Sequence, residues 1–470
     1  MSDSTKMRLR VTGAILVAFA LRFYFIWRFP FYDAGDTPIY QELAHNWLTH
    51  GIYGLKILGH LSPVDMRTPG YVAFLAAIYS VFGESARAVM VAQAGVDILT
   101  CLVVAAIAAV LAPKASRPRV ALAALWLAAI CPFTANYTAV VLTETLATFL
   151  TALALLVLIE ALRDERSGPA LGAAPAGTRW LLGGIVVGFG TLVRPEAPLI
   201  LAGVGAVLVF LWWRPANWPK LARAAILMAV GLMLPLLPWA ARNWRVLHKV
   251  QFLAPRYSEL AGEFTPHGFF SWEKTWLWRF RDVFLVSWNL NGAEIQLQDL
   301  PASAFDSAVE RERVANLLEQ YNDTMDMTPE LDQQFAEIAW ERTERHPLRT
   351  YVRVPFLRAV SMWFTPRVEM LPLSGKLWPF GYWWEDSPSQ YCYSLGLFVM
   401  GIAYGAMALG GAWRCRGDPA AMMLVAFIVI RTAFLTTMET PEPRYVLECF
   451  PAVFALGAQL WAKRSATTSN

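Results

Sequence analysis

Charge is what this sequence has least of. Only 16% of its 470 residues are Asp, Glu, Lys or Arg, against about 25% in soluble domains. So few charges cannot cover a water-exposed surface of this size, which excludes the three or so soluble domains that the length alone would suggest. The net charge of +4 comes without a Lys/Arg run or a basic-aromatic stripe, so no nucleic-acid partner is indicated. Cysteine is scarce as well. Cys101, Cys131, Cys392, Cys415 and Cys449 are odd in number, scattered and without CxxC spacing, which supports neither a disulfide framework nor a zinc site. There is no Walker loop, no GxSxG, no HExxH, and no GxGxxG opening a helix after a strand. The six histidines show no metal-ligand spacing. What fills the chain instead is apolar: 56% hydrophobic residues, with 20 Trp and 27 Phe, and a mean hydropathy of +0.40. That composition describes an all-α polytopic membrane protein with aromatic belts at the membrane boundary.

Apolar runs of spanning length lie at about 11–27, 88–111, 119–134, 137–162, 180–193, 197–213, 222–241, 391–413, 419–438 and 444–462. Lys6, Arg8 and Arg10 precede the first, which has no cleavage site and reads as an uncleaved anchor. With the N-terminus cytoplasmic, the clusters Lys114/Arg117/Arg119, Arg163/Arg166/Arg179, Arg214/Lys220/Arg223, Arg414/Arg416 and Lys463/Arg464 all fall inside, as the positive-inside rule demands. About ten transmembrane helices with both termini cytoplasmic satisfy hydropathy and charge together. Residues 70–82 are apolar but short and are expected to dip into the interface; counting them would give eleven spans and spoil the charge agreement. The chain divides into an N-terminal membrane module, 1–243, carrying an outer loop at 30–87; an outer-face helical segment, 244–390; and C-terminal membrane helices, 391–470. In the middle segment, 303–322 reads as an amphipathic helix, and Thr328-Pro329-Glu330 opens another that runs to Arg345. Residues 348–364 are basic-amphipathic and suit a membrane surface.

Within a membrane protein, the informative residues are the acids and bases at membrane depth or at its edge. The first outer loop opens with Asp33 and Asp36, and Asp36 also stands where an N-cap of the following helix belongs. Glu144 lies about two turns into the 137–162 span, Arg22 lies inside the first span, and Asp97 is a further buried-looking acid. Arg67, Arg194 and Arg444 complete a set gathered at the outer face. Mutual pairing would explain them as packing; a site for an anionic headgroup would look the same.

The order of these features resembles the polyprenyl-phosphate-sugar-dependent glycosyltransferases of the GT-C fold, the group that includes protein O-mannosyltransferases and the aminoarabinose transferase of lipid A. The shared elements are Arg22 in the first span, Asp36-x3-Tyr40-x3-Ala44, the Gly51-x-Tyr53 turn, and a helix from Arg67 through Pro69-Gly70-Tyr71 to Phe82-Gly83. Leu142-Thr143-Glu144, Leu192-Val193-Arg194-Pro195 and the Arg444-Tyr445 pair follow in order. The resemblance covers about 1–245 and 391–462 and implies a GT-C-like bundle. It also implies that Asp36, or its rival Asp33, is the catalytic base, with Glu144 as second acid at a position where the family often has Asp. Arg67, Arg194 and Arg444 would lie near the lipid phosphate, with Tyr40, Tyr445 and Arg22 also in the substrate region. The implied reaction moves a sugar from a polyprenyl-phosphate carrier to a cell-envelope acceptor (lipid, glycan or protein), by direct displacement with inversion. The implied place is the outer face of a bacterial inner membrane. No cofactor is assigned; the acids at one face are compatible with a divalent cation.

Two other functions use similar parts. A lipid-linked-sugar flippase or transporter would show repeated halves with broken midplane helices, and no internal symmetry is visible. An O-antigen ligase or polymerase would place catalytic Arg and His in a large outer loop, where Arg is plentiful and His is not.

Overall fold

The computed structural model describes residues 2–32, 35–167, 175–255, 257 and 264–463. Asp33, Arg464 and most of the Ala/Gly/Pro loop 167–177 lie outside the described residues. The chain begins with α1 (Asp3–Arg28) and α2 (Thr37–His50), then a hairpin of β1 (Gly54–Ile57) and β2 (His60–Pro63). Next come α3 (Pro69–Phe82), α4 (Ala86–Leu111), α5 (Arg117–Ala129), α6 (Pro132–Tyr137), α7 (Glu144–Ser167), α8 (Ala176–Val193), α9 (Leu199–Trp212) and α10 (Trp218–Leu247). The middle of the chain carries α11 (His267–Lys274), α12 (Phe280–Asp282), α13 (Ala308–Thr324), α14 (Pro329–Arg345) and α15 (Val354–Trp363). The last part carries α16 (Phe380–Asp386), α17 (Pro388–Arg414), α18 (Pro419–Leu435) and α19 (Phe450–Gly457).

Six helices among the described residues are long and apolar enough to cross a membrane: Ser4–Arg28, Ala86–Leu111, Glu144–Arg166, Ala176–Val193, Pro215–Leu247 and Pro388–Arg414. Shorter apolar helices lie at Pro69–Phe82, Leu199–Trp212 and Pro419–Leu435. Three of the ten expected spans are therefore interrupted. In 119–134, Pro132 has no N–H to continue the helix and holds Cys131 extended (φ −72°, ψ 114°), so α5 stops and α6 restarts. In 137–162, the helix begins at Glu144, and 138–143 is irregular. The last span, 444–462, is 3-10 helix over Pro443–Cys449, α19, then 3-10 helix again. In the middle segment, the expected helix at 303–322 starts later, where Ser307 accepts the N–H of Glu310. The one expected from Thr328 to Arg345 forms with Thr328 as its cap.

Contacts divide the chain into two compact units. One comprises 1–256, 366–430 and 447–470; the other comprises 257–365 and 431–446. The division differs from the one expected from sequence, because 366–390 groups with the membrane helices and 431–446 with the middle segment. Within the first unit, α8 and α10 cross at bare backbone: a Cβ on Gly184 would strike the Met228 carbonyl, and one on Gly231 the Leu181 carbonyl. Small residues permit that approach where lipid gives no hydrophobic drive to association. The second unit has its own core, with Phe269, Trp272, Trp276, Leu317, Tyr321 and Phe335 all buried. Beside that core, Arg342 is buried against Glu310 and donates to Thr275 and to the carbonyls of Ser303 and Ala304.

Candidate functional site

The first unit contains two kinds of charged site. Arg22, on α1, is fully buried. Its Nε donates to Asp97 of α4 at 2.9 Å, and its Nη groups reach Cys101 and the carbonyls of Ala128 and Ala129. The side chains of this pair are 0% and 3% exposed. Every donor nitrogen of Arg22 is engaged by protein, so Arg22 does not join the other predicted substrate-site residues; it ties α1 to α4 and to the end of α5.

The second kind is open. Asp36 occupies the N-cap position of α2, yet its backbone is helical (φ −75°, ψ −5°) and its side chain makes no capping bond. The carboxylate turns instead to Arg67, whose Nη2 donates to Oδ1 at 2.9 Å. Here the exposures are 14% for Arg67 and 39% for Asp36. Arg67 immediately precedes Thr68-Pro69, where α3 starts, and its carbonyl accepts the Tyr53 hydroxyl at 2.9 Å. Gly70 allows the next step, since a Cβ there would lie 2.5 Å from the Leu192 carbonyl. The start of α3 is thereby pressed onto the end of α8.

At that end of α8 sits Arg194, ringed by carboxylates. It donates to Glu196 at 2.9 Å and Glu144 at 3.2 Å, and Glu448 lies 3.3 Å away. Glu448 also accepts the Thr151 hydroxyl at 3.1 Å. Tyr40 lies within electrostatic range of both groups: Asp36 and Arg67 of the one, Arg194 and Glu144 of the other. Burial, then the Asp36 charge, pushes its phenol up to about 12, so it remains a proton donor at any ordinary pH. Burial opposes the charge on Arg67, but Asp36, Tyr40 and Tyr53 together outweigh it and the pKa rises above the usual guanidinium value. The result is two cations held by carboxylates, one of which, Asp36, faces solvent. Among the described residues, no group of three or more His, Cys, Asp or Glu is arranged to hold a metal ion.

Glu144 is presented by the irregular strap 138–143, whose first N–H groups make short turn bonds, Thr138 to Ala135 O at 3.2 Å and Ala139 to Asn136 O at 3.0 Å, and whose carbonyls are taken up by other segments. The Gln93 amide donates to the carbonyls of Thr138 at 3.2 Å and Val140 at 2.7 Å. The Thr37 hydroxyl donates to Val141 O at 3.0 Å, and Phe31 N to Ala139 O at 2.9 Å. The Tyr71 hydroxyl in turn donates to the Gln93 carbonyl oxygen at 2.8 Å. Irregular backbone at membrane depth persists only where protein satisfies it in this way. Sequence reasoning missed Gln93, Tyr71, Thr37 and Glu448. A polar Gln93 within an apolar span and a charged Glu448 within the last one are the signals that would have found two of them.

A groove of about 340 Å³ adjoins the Arg67 turn through Tyr53 and Pro69 and is lined also by Trp47, Leu192, Pro235, Trp239 and Arg242. Arg242 lies 5.3 Å from the Tyr53 ring and 5.1 Å from that of Trp239, and donates to the carbonyls of Tyr53 and Val64. Arg444 and Tyr445 belong to the second unit. There Arg444 pairs with Glu442 at 2.5 Å and lies over the Tyr445 ring, and the Tyr445 hydroxyl donates to Glu442 at 2.7 Å.

Residues 66–240, a little over a third of the chain, match the sequence profile of the family described as dolichyl-phosphate-mannose-protein mannosyltransferase. No curated protein matches the chain. Among solved structures, it is similar to the Archaeoglobus fulgidus oligosaccharyltransferase tethered with an acceptor peptide, at 16% identity and a TM-score of 0.52, covering 98% of this chain and 49% of that one. It is also similar to oligosaccharyltransferase AglB of that organism in complex with an inhibitory peptide and a dolichol-phosphate, at 15% identity, TM-score 0.50, and coverage of 97% and 50%. The chain spans about half the length of these proteins. ArnT from Cupriavidus metallidurans aligns at 12% identity and a TM-score of 0.40, over 98% and 78% of the two chains, a score that adds nothing to the assignment. The chain is a polytopic membrane protein built on the GT-C fold.

Proposed function

We propose that this protein is a membrane glycosyltransferase that moves a sugar from a polyprenyl-phosphate carrier to a cell-envelope acceptor. The observation that carries the reading is the Asp36–Arg67 pair: a solvent-facing carboxylate and a half-buried cation on the first loop, with Arg194 in electrostatic reach of the same tyrosine. The matched family and the solved AglB complex, named for dolichyl-phosphate mannose and dolichol-phosphate, point to the same donor class. The apolar groove beside Arg67 suits the first units of a polyprenyl tail.

In this reading, the C1–O bond of the sugar phosphate is already activated, and no covalent nucleophile is needed. Asp36 accepts the proton of the acceptor hydroxyl as its oxygen attacks C1 from the face opposite the phosphate, and the anomeric configuration inverts. Arg67 and Arg194 stabilise the negative charge growing on the departing phosphate. Glu144, together with Glu448, holds Arg194 in place. The same reading puts the protein in a bacterial inner membrane with both termini cytoplasmic and the site on the periplasmic face.

Purified protein given defined polyprenyl-phosphate sugars, with a hydroxylated envelope fraction as acceptor, should release polyprenyl monophosphate in step with sugar transfer. Movement of intact donor across a proteoliposome without release would identify a flippase instead. Release of a polyprenyl diphosphate from diphosphate-linked oligosaccharides would identify a ligase or polymerase.

A further inference from the structure

From Arg345 to Thr365 the sequence carries four arginines and no acidic residue. In the second unit, this stretch is a turn after α14, a π-helical turn at Arg349–Arg353, and then α15. Its inward side is made by Val354, Arg358, Ser361 and Met362, all buried. The outward side is also apolar. Leu348 is 75% exposed, Tyr351 72%, Val352 57% and Phe356 66%, and 348, 352 and 356 succeed one another at the spacing of one helix face. A folded domain does not leave such a row in water without a use for it.

Basic residues border the row. Arg345, His346, Leu348, Arg349 and Arg353 line a shallow depression of about 520 Å³. Arg345 and Arg349 are partly neutralised by Asp306 and Glu310. Arg353 is exposed and has no side-chain partner among the described residues, and the same holds for His346. We infer that this face is a seat for an acidic phospholipid surface: Leu348, Val352 and Phe356 enter the acyl boundary, Tyr351 lies at headgroup level, and Arg353 with His346 meets the phosphates. An exposed apolar row edged by arginine is the pattern of a helix that lies in a bilayer interface, and its cations favour anionic lipid. A protein partner of unspecified charge would not call for a stretch free of acids.

The test uses the full-length protein in nanodiscs of phosphatidylcholine alone or mixed with phosphatidylglycerol. A photoreactive benzoylphenylalanine is placed at Val352 or Phe356, and as a control at Glu312, an exposed polar site on α13. Lipid adducts at 352 and 356 should exceed those at 312 several-fold. They should rise when phosphatidylglycerol is present and lose that rise in Arg353→Glu. Adduct yields at 352 and 356 no higher than at 312 would overturn the inference, as would crosslinks joining two copies of the chain. Equal yields in the two lipid mixtures with the native Arg353 would overturn the acidic-lipid assignment even if the variant failed to fold.

Discussion

Arg22–Asp97 and Arg67–Asp36 are the same chemical pair in one membrane unit, and their surroundings give them opposite uses. The first is sealed, 0% and 3% exposed, with the guanidinium spent on a carboxylate, a thiol and backbone carbonyls. The second is open at the acid, 39% exposed, and its arginine has one carboxylate partner and the carbonyl of its neighbour. A sealed pair can only hold helices together. An open one can exchange a proton and meet an anion. Charge at membrane depth is therefore not sufficient evidence of a site, and access decides.

The largest effect on transfer is expected at Asp36. Asp36→Asn keeps an oxygen for Arg67 but cannot accept a proton, and transfer should fall by ~10²–10⁴-fold with no change in thermal midpoint; the check is sugar transfer per folded molecule. On the sealed side, Arg22→Met strands a buried carboxylate and should cost about 3–5 kcal/mol of stability, seen as a lowered unfolding midpoint in detergent. The double variant Arg22→Met/Asp97→Leu should recover most of that loss, because neither charge is then left unpaired. A double variant as unstable as the single one would mean that the pair does more than balance charge.

Between the two lies Gln93, uncharged and sealed but holding the strap that presents Glu144. Gln93→Leu takes the side-chain donor from the Thr138 and Val140 carbonyls, of which Val140 keeps the Leu142 N–H, and removes the acceptor of the Tyr71 hydroxyl; it should cost roughly 1–3 kcal/mol. Its turnover should fall more than its apparent donor affinity, because the strap sets geometry. Over a single pH unit, the smallest effect is at Glu273 in the second unit, a sealed acid with no ion pair among the described residues. Burial pushes it up to about 8, against the opposing charge of Arg358. The folded state then holds a proton that the unfolded chain releases near the ordinary value of 4.5. The contribution to stability is therefore complete below that value and is lost as pH rises toward about 8. Over the last pH unit of that window the loss is on the order of 1 kcal/mol. Hydrogen-exchange protection of His267–Lys274, corrected for intrinsic rates, should follow that curve and flatten in Glu273→Gln.

Much of this could be read from the chain. Low charge and long apolar runs announce a polytopic membrane protein, and six helices long enough to span answer to that. Thr328-Pro329 announces its helix, because cap chemistry is local. The interruptions at 130–131 and 138–143 were less legible. Pro132 was a visible warning, but nothing within Thr138–Thr143 says that its carbonyls are satisfied by Gln93 and Thr37 from distant segments. The closed setting of Arg22 was hidden for the same reason. Its sequence neighbourhood cannot reveal that Asp97 and the end of α5 close around it, whereas the Arg67 turn is shaped by its own Thr68-Pro69-Gly70.

The most direct measurement assays Asp36→Asn and Arg22→Met side by side, each for single-turnover release of polyprenyl phosphate per folded molecule and for thermal midpoint. A crossover is expected: Asp36→Asn unfolds like the wild type but does not turn over, and Arg22→Met unfolds early but turns over normally while folded. An Asp36→Asn protein that releases polyprenyl phosphate at the wild-type rate would contradict it.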